Sequence, residues 1–179
     1  MRLGNRAVII RDKGQNSPER CVMNFKIKRF EEQDAAEVSA VIGEALRLSN
    51  APDYPPEIIR EMLELYAPEN LLEQAEGENL YVLWEGEKAV GCGGIAPYMG
   101  RRTESILVTI FVLPKYQGKG AGRRIMEALE SDPYFLRAER VVIHSSITAR
   151  DFYRKLGYRF SDGVGTPDEE GCIHMEKRR

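Results

Sequence analysis

The chain has 179 residues, of which 42% are hydrophobic and 30% are charged, with a formal net charge of −2. This length suits a single domain with its own core, and the small net charge gives no indication of a nucleic-acid or membrane partner. No apolar run approaches the roughly 20 residues that cross a bilayer. The three cysteines are widely spaced, which indicates reduced thiols rather than a disulfide framework. We therefore expect a cytoplasmic protein.

The first 22 residues differ from the rest of the chain. They show little periodicity and end in the turn-forming stretch "KGQNSPER". Their one apolar patch, "AVII", is too short for the apolar region of a signal peptide. We expect residues 1–22 to be a loose N-terminal extension and residues 23–179 to form a single domain.

The first half of this domain is predicted to contain one strand followed by helices. The stretch "NFKIKRF" alternates in the manner of a short strand, and apolar residues then recur at helical spacing from Asp34. A second helix begins at Pro56, a residue favoured in the first turn, and "ENLLEQAE" predicts a shorter third helix.

The second half is richer in strands. The stretches "LYVLW" and "AVGCGGI" predict a hairpin with its turn at residues 85–88, and the apolar run "SILVTIFVL" predicts a central strand. A helix stopped by Asp132-Pro133, the strand "RVVIHSS", the helix "TARDFYRKLGY" and two closing strands follow. The predicted order is β-α-α-β-β-β-α-β-α-β-β. It indicates an α+β fold, with a mixed sheet covered by helices.

The loop "QGKGAG", residues 117–122, joins the central strand to a helix. The first N–H groups of a helix lack partners and carry the positive end of the helix dipole, and glycine allows a ligand to approach the backbone closely. With Lys119, Arg123 and Arg124 nearby, the loop is a candidate anion site. The alternative is a glycine-rich turn with a solvated basic face. A P-loop is excluded because no Ser or Thr follows Lys119, and "GCGGIA" at residues 91–96 is interpreted as strand glycines because no helix follows it.

Two sequence blocks carry a resemblance to a known family. The pattern Gln117-x-x-Gly120-x-Gly122 after an apolar strand resembles the acetyl-CoA pyrophosphate loop of the GCN5-related N-acetyltransferase (GNAT) superfamily. The block "ARDFYRKLGY" resembles a later segment of that family, through Ala149, Phe152, Tyr153, Lys155, Gly157 and Tyr158. The resemblance covers residues 23–177. It implies an acyl-CoA N-acyltransferase-like fold, with a mixed central sheet of about six to seven strands flanked by helices.

The resemblance implies acetyl-CoA as co-substrate. The backbone of the loop would hold the pyrophosphate, and the exposed edge of the preceding strand would pair with the pantetheine arm. The Val112 N–H would polarise the thioester carbonyl, and Ser146 stands where many relatives carry an Asn that contacts the cofactor. The implied cofactor-binding residues are Phe111, Val112, Leu113, Gln117, Gly118, Lys119, Gly120, Ala121, Gly122, Arg123 and Ser146.

The resemblance also implies catalytic roles. Tyr153 would protonate the departing CoA thiolate; the alternative is a core tyrosine on an apolar helix stripe. Some family members carry a basic Glu at the position of Ile106 here, which cannot accept a proton. Glu104, two residues earlier, is a candidate base acting through a water, against the alternative of a solvated Glu beside arginines. His174 is a further candidate.

These features predict an N-acetyltransferase that transfers the acetyl group of acetyl-CoA to a primary amine of a small molecule by direct attack in a ternary complex. The acceptor is expected near the first two helices, where Asp53, Glu57 and Glu61 could attract a cation; the alternative is a solvated acidic face. The alternatives are a non-catalytic acyl-CoA-binding regulatory module and a protein lysine or N-terminal acetyltransferase. A homodimer is expected from the family's habits, and no metal site is expected because Cys172-x-His174 supplies only two ligands.

Overall fold

The computed structural model describes residues 23–52 and 54–179. The predicted N-terminal extension and Asp53 lie outside the described residues. The strands are β1 (Phe25–Arg29), β2 (Asn79–Glu85), β3 (Lys88–Pro97), β4 (Glu104–Val112), β5 (Arg140–Ser146), β6 (Arg159–Phe160) and β7 (Cys172–Arg178). The α-helices are α1 (Ala35–Ala45), α2 (Pro56–Leu65), α3 (Pro68–Gly77), α4 (Ala121–Glu130), α5 (Pro133–Leu136) and α6 (Arg150–Lys155). Helix α1 continues into a π-helical turn, Leu46–Asn50.

The strands form one seven-stranded sheet in the order β1-β2-β3-β4-β5-β7-β6. Strands β4 and β5 are parallel, and the other neighbouring pairs are antiparallel. The apolar strand β4 lies at the centre, as its near-continuous burial requires. The predicted α+β fold, its mixed sheet and its order of strands are confirmed. The structure has α3 between α2 and β2, and it adds the short helix α5 between α4 and β5 to the predicted order.

Helices α1 and α4 both pack on β3 and β4. The glycines of β3 allow α4 to approach closely, because a Cβ at Gly93 would lie only 2.4 Å from Cγ2 of Ile125. The next residue, Gly94, faces the other side of the sheet, since side chains alternate along a strand. The stretch "GCGGIA" is thus a strand, as predicted, and its glycines serve packing.

Two details differ from the sequence predictions. Asp132 and Pro133 do more than stop α4, because the Asp132 carboxylate accepts a 2.7 Å hydrogen bond from the Tyr134 N–H and caps the short helix α5. The predicted strand "YRFSD" contains only the two residues of β6. It ends because the Asp162 carboxylate accepts hydrogen bonds from the Val164 and Gly165 N–H groups, at 2.9 and 2.7 Å, and turns the chain. Among the described helices, none has the length and apolar character needed to cross a membrane.

Candidate active site

The central feature of the candidate site is a separation between β4 and β5. Their last paired residues are Leu107 and Ile143, yet β4 continues to Val112 and β5 continues to Ser146. Beyond the last pair, the edge of β4 that faces β5 has no strand partner among the described residues. An extended ligand can therefore add to this edge by backbone hydrogen bonds.

A β-bulge lies where the strands separate. Cys92 pairs with Phe111 and Gly94 pairs with Val108, so Thr109 and Ile110 together oppose Gly93. Thr109 has a φ of 54°, in the left-handed region that β-branched residues rarely adopt. The bulge reverses the side-chain alternation of β4 and bends the strand at this point.

The register indicates which backbone groups face the separation. Gly91 is opposite Val112, and the Leu113 N–H donates a 2.9 Å hydrogen bond to the Val90 carbonyl. In an antiparallel ladder this leaves the N–H and C=O of Val112 pointing away from β3. The Val112 carbonyl accepts a 3.1 Å hydrogen bond from Nε2 of Gln117. Among the three predicted edge residues, Leu113 therefore donates its N–H to β3, whereas the Val112 N–H faces β5. The third, Phe111, is fully buried, with its ring centroid 5.2 Å from that of Tyr66.

The glycine loop follows directly. Gly118 and Gly120 have φ values of 73° and 89°, which only glycine adopts without strain. Gly120 caps α4 without any side-chain hydrogen bond, and the Arg124 N–H, bonded to the Gly120 carbonyl at 3.0 Å, is the first that the helix satisfies. The N–H groups of Ala121 and Gly122 consequently lack an intrahelical acceptor, which is the arrangement that binds anions.

A cleft of about 230 Å³ separates the loop from α6. Its lining residues are Gly118, Gly120, Gly122, Arg123, Phe152, Lys155 and Leu156. Lys119 and Arg123 are exposed and have no acidic partner in the part of the chain that the structure describes, whereas Arg124 pairs with Glu127 at 3.1 Å. The cleft thus combines the exposed Arg123 side chain with a helix N-terminus, and it suits a phosphate-bearing ligand.

Gln117 holds the loop in place. Its Nε2 atom donates to the Val112 carbonyl and to Oγ of Ser49, both at 3.1 Å. These bonds join the loop to the end of β4 and to the π-helical turn. The side chain of Gln117 therefore has a bracing role in the structure.

Tyr153 lies on α6 and is fully buried, with its ring packed edge-on against Phe152 and Tyr158. Its hydroxyl has no hydrogen-bond partner among the described residues. Burial raises the pKa of this phenol well above its usual value, so it stays protonated. A buried hydroxyl without a partner costs about 1–3 kcal/mol. The structure makes Tyr153 a core residue and also a proton donor without an acceptor.

Ser146 has local partners. Its hydroxyl oxygen accepts a hydrogen bond from the Ala149 N–H at 3.3 Å and lies 3.2 Å from Oγ1 of Thr148. The neighbouring Ser145 hydroxyl donates to the Ser146 carbonyl at 2.8 Å. These bonds shape the turn from β5 into α6. The structure therefore gives Ser146 a positioning role near the site.

Glu104 does not lie at the open edge of β4. It is the first residue of β4 and lies in the part of the strand that pairs with β5. Its carboxylate oxygens accept hydrogen bonds from Arg101 at 2.7 Å and Arg140 at 2.8 Å. These bonds, the one from Arg101 foremost, lower the pKa of Glu104. A carboxylate with both oxygens bound by arginines is a poor proton acceptor, which weighs against the predicted role of Glu104 as base.

His174, the other candidate, lies on β7. Its Nε2 atom is 2.7 Å from Oδ2 of Asp168, and its ring centroid is 4.3 Å from that of His144. Within residues 23–52 and 54–179, no group of three or more His, Cys, Asp or Glu side chains is arranged to hold a metal ion.

Glu78, which lies between α3 and β2, was not predicted from the sequence to belong to the site. Oε1 of Glu78 accepts a 3.2 Å hydrogen bond from the Thr109 hydroxyl, at the bulge of β4. Burial raises the pKa of Glu78 to about 7, and the bond from Thr109 opposes part of that rise. In the local sequence, nothing distinguishes Glu78 from an ordinary carboxylate at the end of a helix. The one sequence feature that points to this site is Gly94, because its missing side chain leaves room for the Glu78 carboxylate.

A strand pair that opens beside a glycine-rich helix N-terminus is the arrangement that the resemblance to the GNAT superfamily implied. Residues 50–179 match the family model described as an acetyltransferase (GNAT) domain. The chain belongs to this family, as the two sequence blocks indicated. Strand β1 and helix α1 precede the matched range, but they pack in the same sheet and core.

Known proteins agree with this assignment. An uncharacterised acetyltransferase of Streptococcus pyogenes, from the arcA 3′ region, is 35% identical over 79 residues, which are 42% of this chain and 52% of the relative. The chain thus spans about half the length of the curated relatives it matches.

Solved structures share the fold. The PaiA N-acetyltransferase of Thermoplasma acidophilum, in complex with coenzyme A, aligns with a TM-score of 0.75 at 18% identity, over 88% of this chain and 100% of that one. A GNAT family acetyltransferase of Brucella melitensis, in complex with acetyl-CoA, aligns with a TM-score of 0.64 at 19% identity, over 87% and 88% of the two chains.

Proposed function

We propose that the protein transfers the acetyl group of acetyl-CoA to a primary amine of a small molecule, by direct attack in a ternary complex. The observation that carries the proposal is the continuity of the site. The unpaired edge of β4 leads directly into the loop of residues 117–122, whose N–H groups and basic side chains suit a pyrophosphate. Two structural neighbours, from Thermoplasma acidophilum and Brucella melitensis, hold coenzyme A and acetyl-CoA respectively, which supports this choice of ligand.

Different groups of the chain bind the phosphates, polarise the carbonyl and donate a proton. Lys119 and Arg123, together with the α4 N-terminus, hold the phosphates. The Val112 N–H lies on the β5-facing edge, where it can donate to the carbonyl oxygen of an acyl group laid along β4. When bound, acetyl-CoA supplies an acetyl group activated as a thioester. Tyr153 supplies a proton to the sulfur of coenzyme A as the thiolate departs.

The position of α2 supports a cationic acceptor. Ile59 and Met62 form its buried face, and Glu57 and Glu61 are exposed on the opposite side. Tyr66, which follows α2, packs against Phe111 of β4, so the helix ends near the candidate site. An exposed acidic helix beside the site favours an amine that arrives as an ammonium ion. We therefore propose a small cationic amine rather than a neutral acceptor.

Release of CoA thiol from acetyl-CoA, measured with a panel of polyamines, amino acids and aryl-alkyl amines, tests this function. The proposal expects saturable release with at least one amine and an acetylated product by mass spectrometry. Lysine-containing peptides and peptides with free N-termini form the comparison set. Release with the peptides alone would replace the small-molecule acceptor, and binding of acetyl-CoA without any release would leave an acyl-CoA-binding module.

A further inference from the structure

We propose that Glu78 is the general base that takes the proton from the acceptor amine. This role depends on the acetyl transfer proposed above. The sequence offered Glu104 and His174 for the task, and neither has the position of Glu78.

Register places Glu78 beside the point where the sheet opens. Val108 is the first residue of β4 beyond the last pair with β5, and Gly94 is its partner on β3. A Cβ at Gly94 would lie 3.1 Å from both Oε1 of Glu78 and Cγ2 of Val108. The carboxylate therefore lies over the Gly94–Val108 pair, on the face opposite the one that α4 covers. It occupies the space that a side chain at residue 94 would take.

The surroundings of Glu78 leave it able to accept a proton. Among the described residues, its one hydrogen-bond donor is the Thr109 hydroxyl, on Oε1, and no cationic side chain lies within 4 Å of it. Oε2 consequently has no donor. The other titratable group close by is the thiol of Cys92, whose pKa burial raises far above its usual range, so it is neutral. Glu104, bound by two arginines, shows the contrasting arrangement of a carboxylate held in its charged form.

The pKa of Glu78 suits a general base. A general base works best when its pKa lies near the working pH, and burial raises the pKa of Glu78 to about 7. The Glu78 carboxylate takes one proton from the ammonium ion and later releases it to solvent. The nitrogen lone pair then forms the C–N bond as the C–S bond breaks, and the sulfur takes a proton from the Tyr153 hydroxyl. The nitrogen loses its second proton to solvent as the amide forms, and the Tyr153 oxygen takes up a proton from solvent, so the protons balance.

The test compares Glu78→Gln with wild type. Glutamine keeps the shape and the hydrogen bond from Thr109 but does not accept a proton. We expect turnover to fall by about 100-fold or more at neutral pH, with the affinity for acetyl-CoA unchanged and the acidic limb of the pH–rate profile lost. Glu78→Asp should retain part of the activity. Glu76→Gln, an exposed carboxylate on α3, is the matched control and should behave as wild type.

Two outcomes separate the proposals. If wild type binds acetyl-CoA but acetylates no amine, the proposed function fails and the role of Glu78 fails with it. If wild type turns over and Glu78→Gln stays within threefold of it, the function stands and Glu78 is not the base. A ¹³C NMR titration of the Glu78 carboxyl in the free protein gives an independent readout. Titration near neutral pH supports the proposal, and titration at the usual value of an exposed glutamate overturns it.

Discussion

The Thr109 hydroxyl donates a 3.2 Å hydrogen bond to the Glu78 carboxylate, and this bond fixes the bend in β4 at which the sheet opens. The left-handed backbone of Thr109 costs about 1–3 kcal/mol. The bulge is held from its other side as well, because the Cys92 thiol donates to the Thr109 carbonyl at 3.2 Å. These two hydrogen bonds hold Thr109 in its strained conformation.

The stability of the fold should depend on the charge of Glu78. Its pKa is about 7 in the folded protein against a usual value of 4.5, so the folded state binds more protons between these values. Wild type should therefore lose stability as pH rises from about 4.5 to about 7, by about 3 kcal/mol from this group. Urea unfolding of wild type and Glu78→Gln at about pH 5 and about pH 8 measures the difference. The free energy of unfolding of Glu78→Gln, relative to that of wild type, should be higher at about pH 8 than at about pH 5. The same difference at both pH values would contradict the burial of the charge.

Gly94→Ala should disturb the Glu78 carboxylate, which lies over Gly94. The new methyl group would meet Oε1 of Glu78 and Cγ2 of Val108 at 3.1 Å, so one of the two must shift. We expect a loss of about 1–3 kcal/mol in the free energy of unfolding and at least a tenfold fall in turnover. Gly77→Ala is the control, because a Cβ there meets nothing within 4 Å. Equal behaviour of the two variants would remove the support that Gly94 gives to the placement of Glu78.

Gly120→Ala should weaken acetyl-CoA binding at the loop. Gly120 has a φ of 89°, and a Cβ there would meet nothing within 4 Å, so the substitution acts through backbone strain of about 1 kcal/mol. Relief of that strain would turn the N–H groups of the loop away from the phosphates, and we expect at least a tenfold loss of affinity. Gly86→Ala, at φ 61° in the β2–β3 turn, introduces similar strain away from the site. Calorimetric titration should show lost affinity in the first variant alone, and unchanged affinity in both would contradict the anion-binding role.

Tyr153→Phe should separate catalysis from stability. The variant removes a buried hydroxyl that has no partner among the described residues, so the free energy of unfolding should stay level or rise by about 1 kcal/mol. Turnover should fall at least 100-fold with acetyl-CoA affinity retained, because the acid is lost. Tyr158→Phe, a neighbouring buried tyrosine, is the control for general packing effects. Unaltered turnover in Tyr153→Phe would return the residue to a purely structural role.

Local patterns predicted most of the fold. Alternation in "NFKIKRF", the apolar run of β4 and the proline at the start of α2 all act over a few residues, and the structure follows them. The sequence also predicted the loop and the family, because the glycines and the "ARDFYRKLGY" block each carry their signal within one short segment.

Long-range placement accounts for what the sequence did not predict. The separation of β4 from β5 depends on register between residues far apart in the chain, and the bulge at Thr109 has no local signature. Glu78 and Thr109 are distant in sequence and meet only through the pairing of β2, β3 and β4. Glu104 attracted attention by its place on β4, but the arginines that neutralise it, Arg101 and Arg140, include one from another strand.

Thermal unfolding of wild type against acetyl-CoA concentration tests the central claim most directly, with AMP as the control ligand. A ligand that binds only the folded state adds about 2.7 kcal/mol of stability at 100 times its dissociation constant. We predict a midpoint that rises progressively with micromolar acetyl-CoA, little change with AMP, and a response in Gly120→Ala shifted to higher concentration. A midpoint that does not move with acetyl-CoA at millimolar concentration would mean that the loop of residues 117–122 is only a turn, and it would contradict the acetyl transfer proposed for this chain.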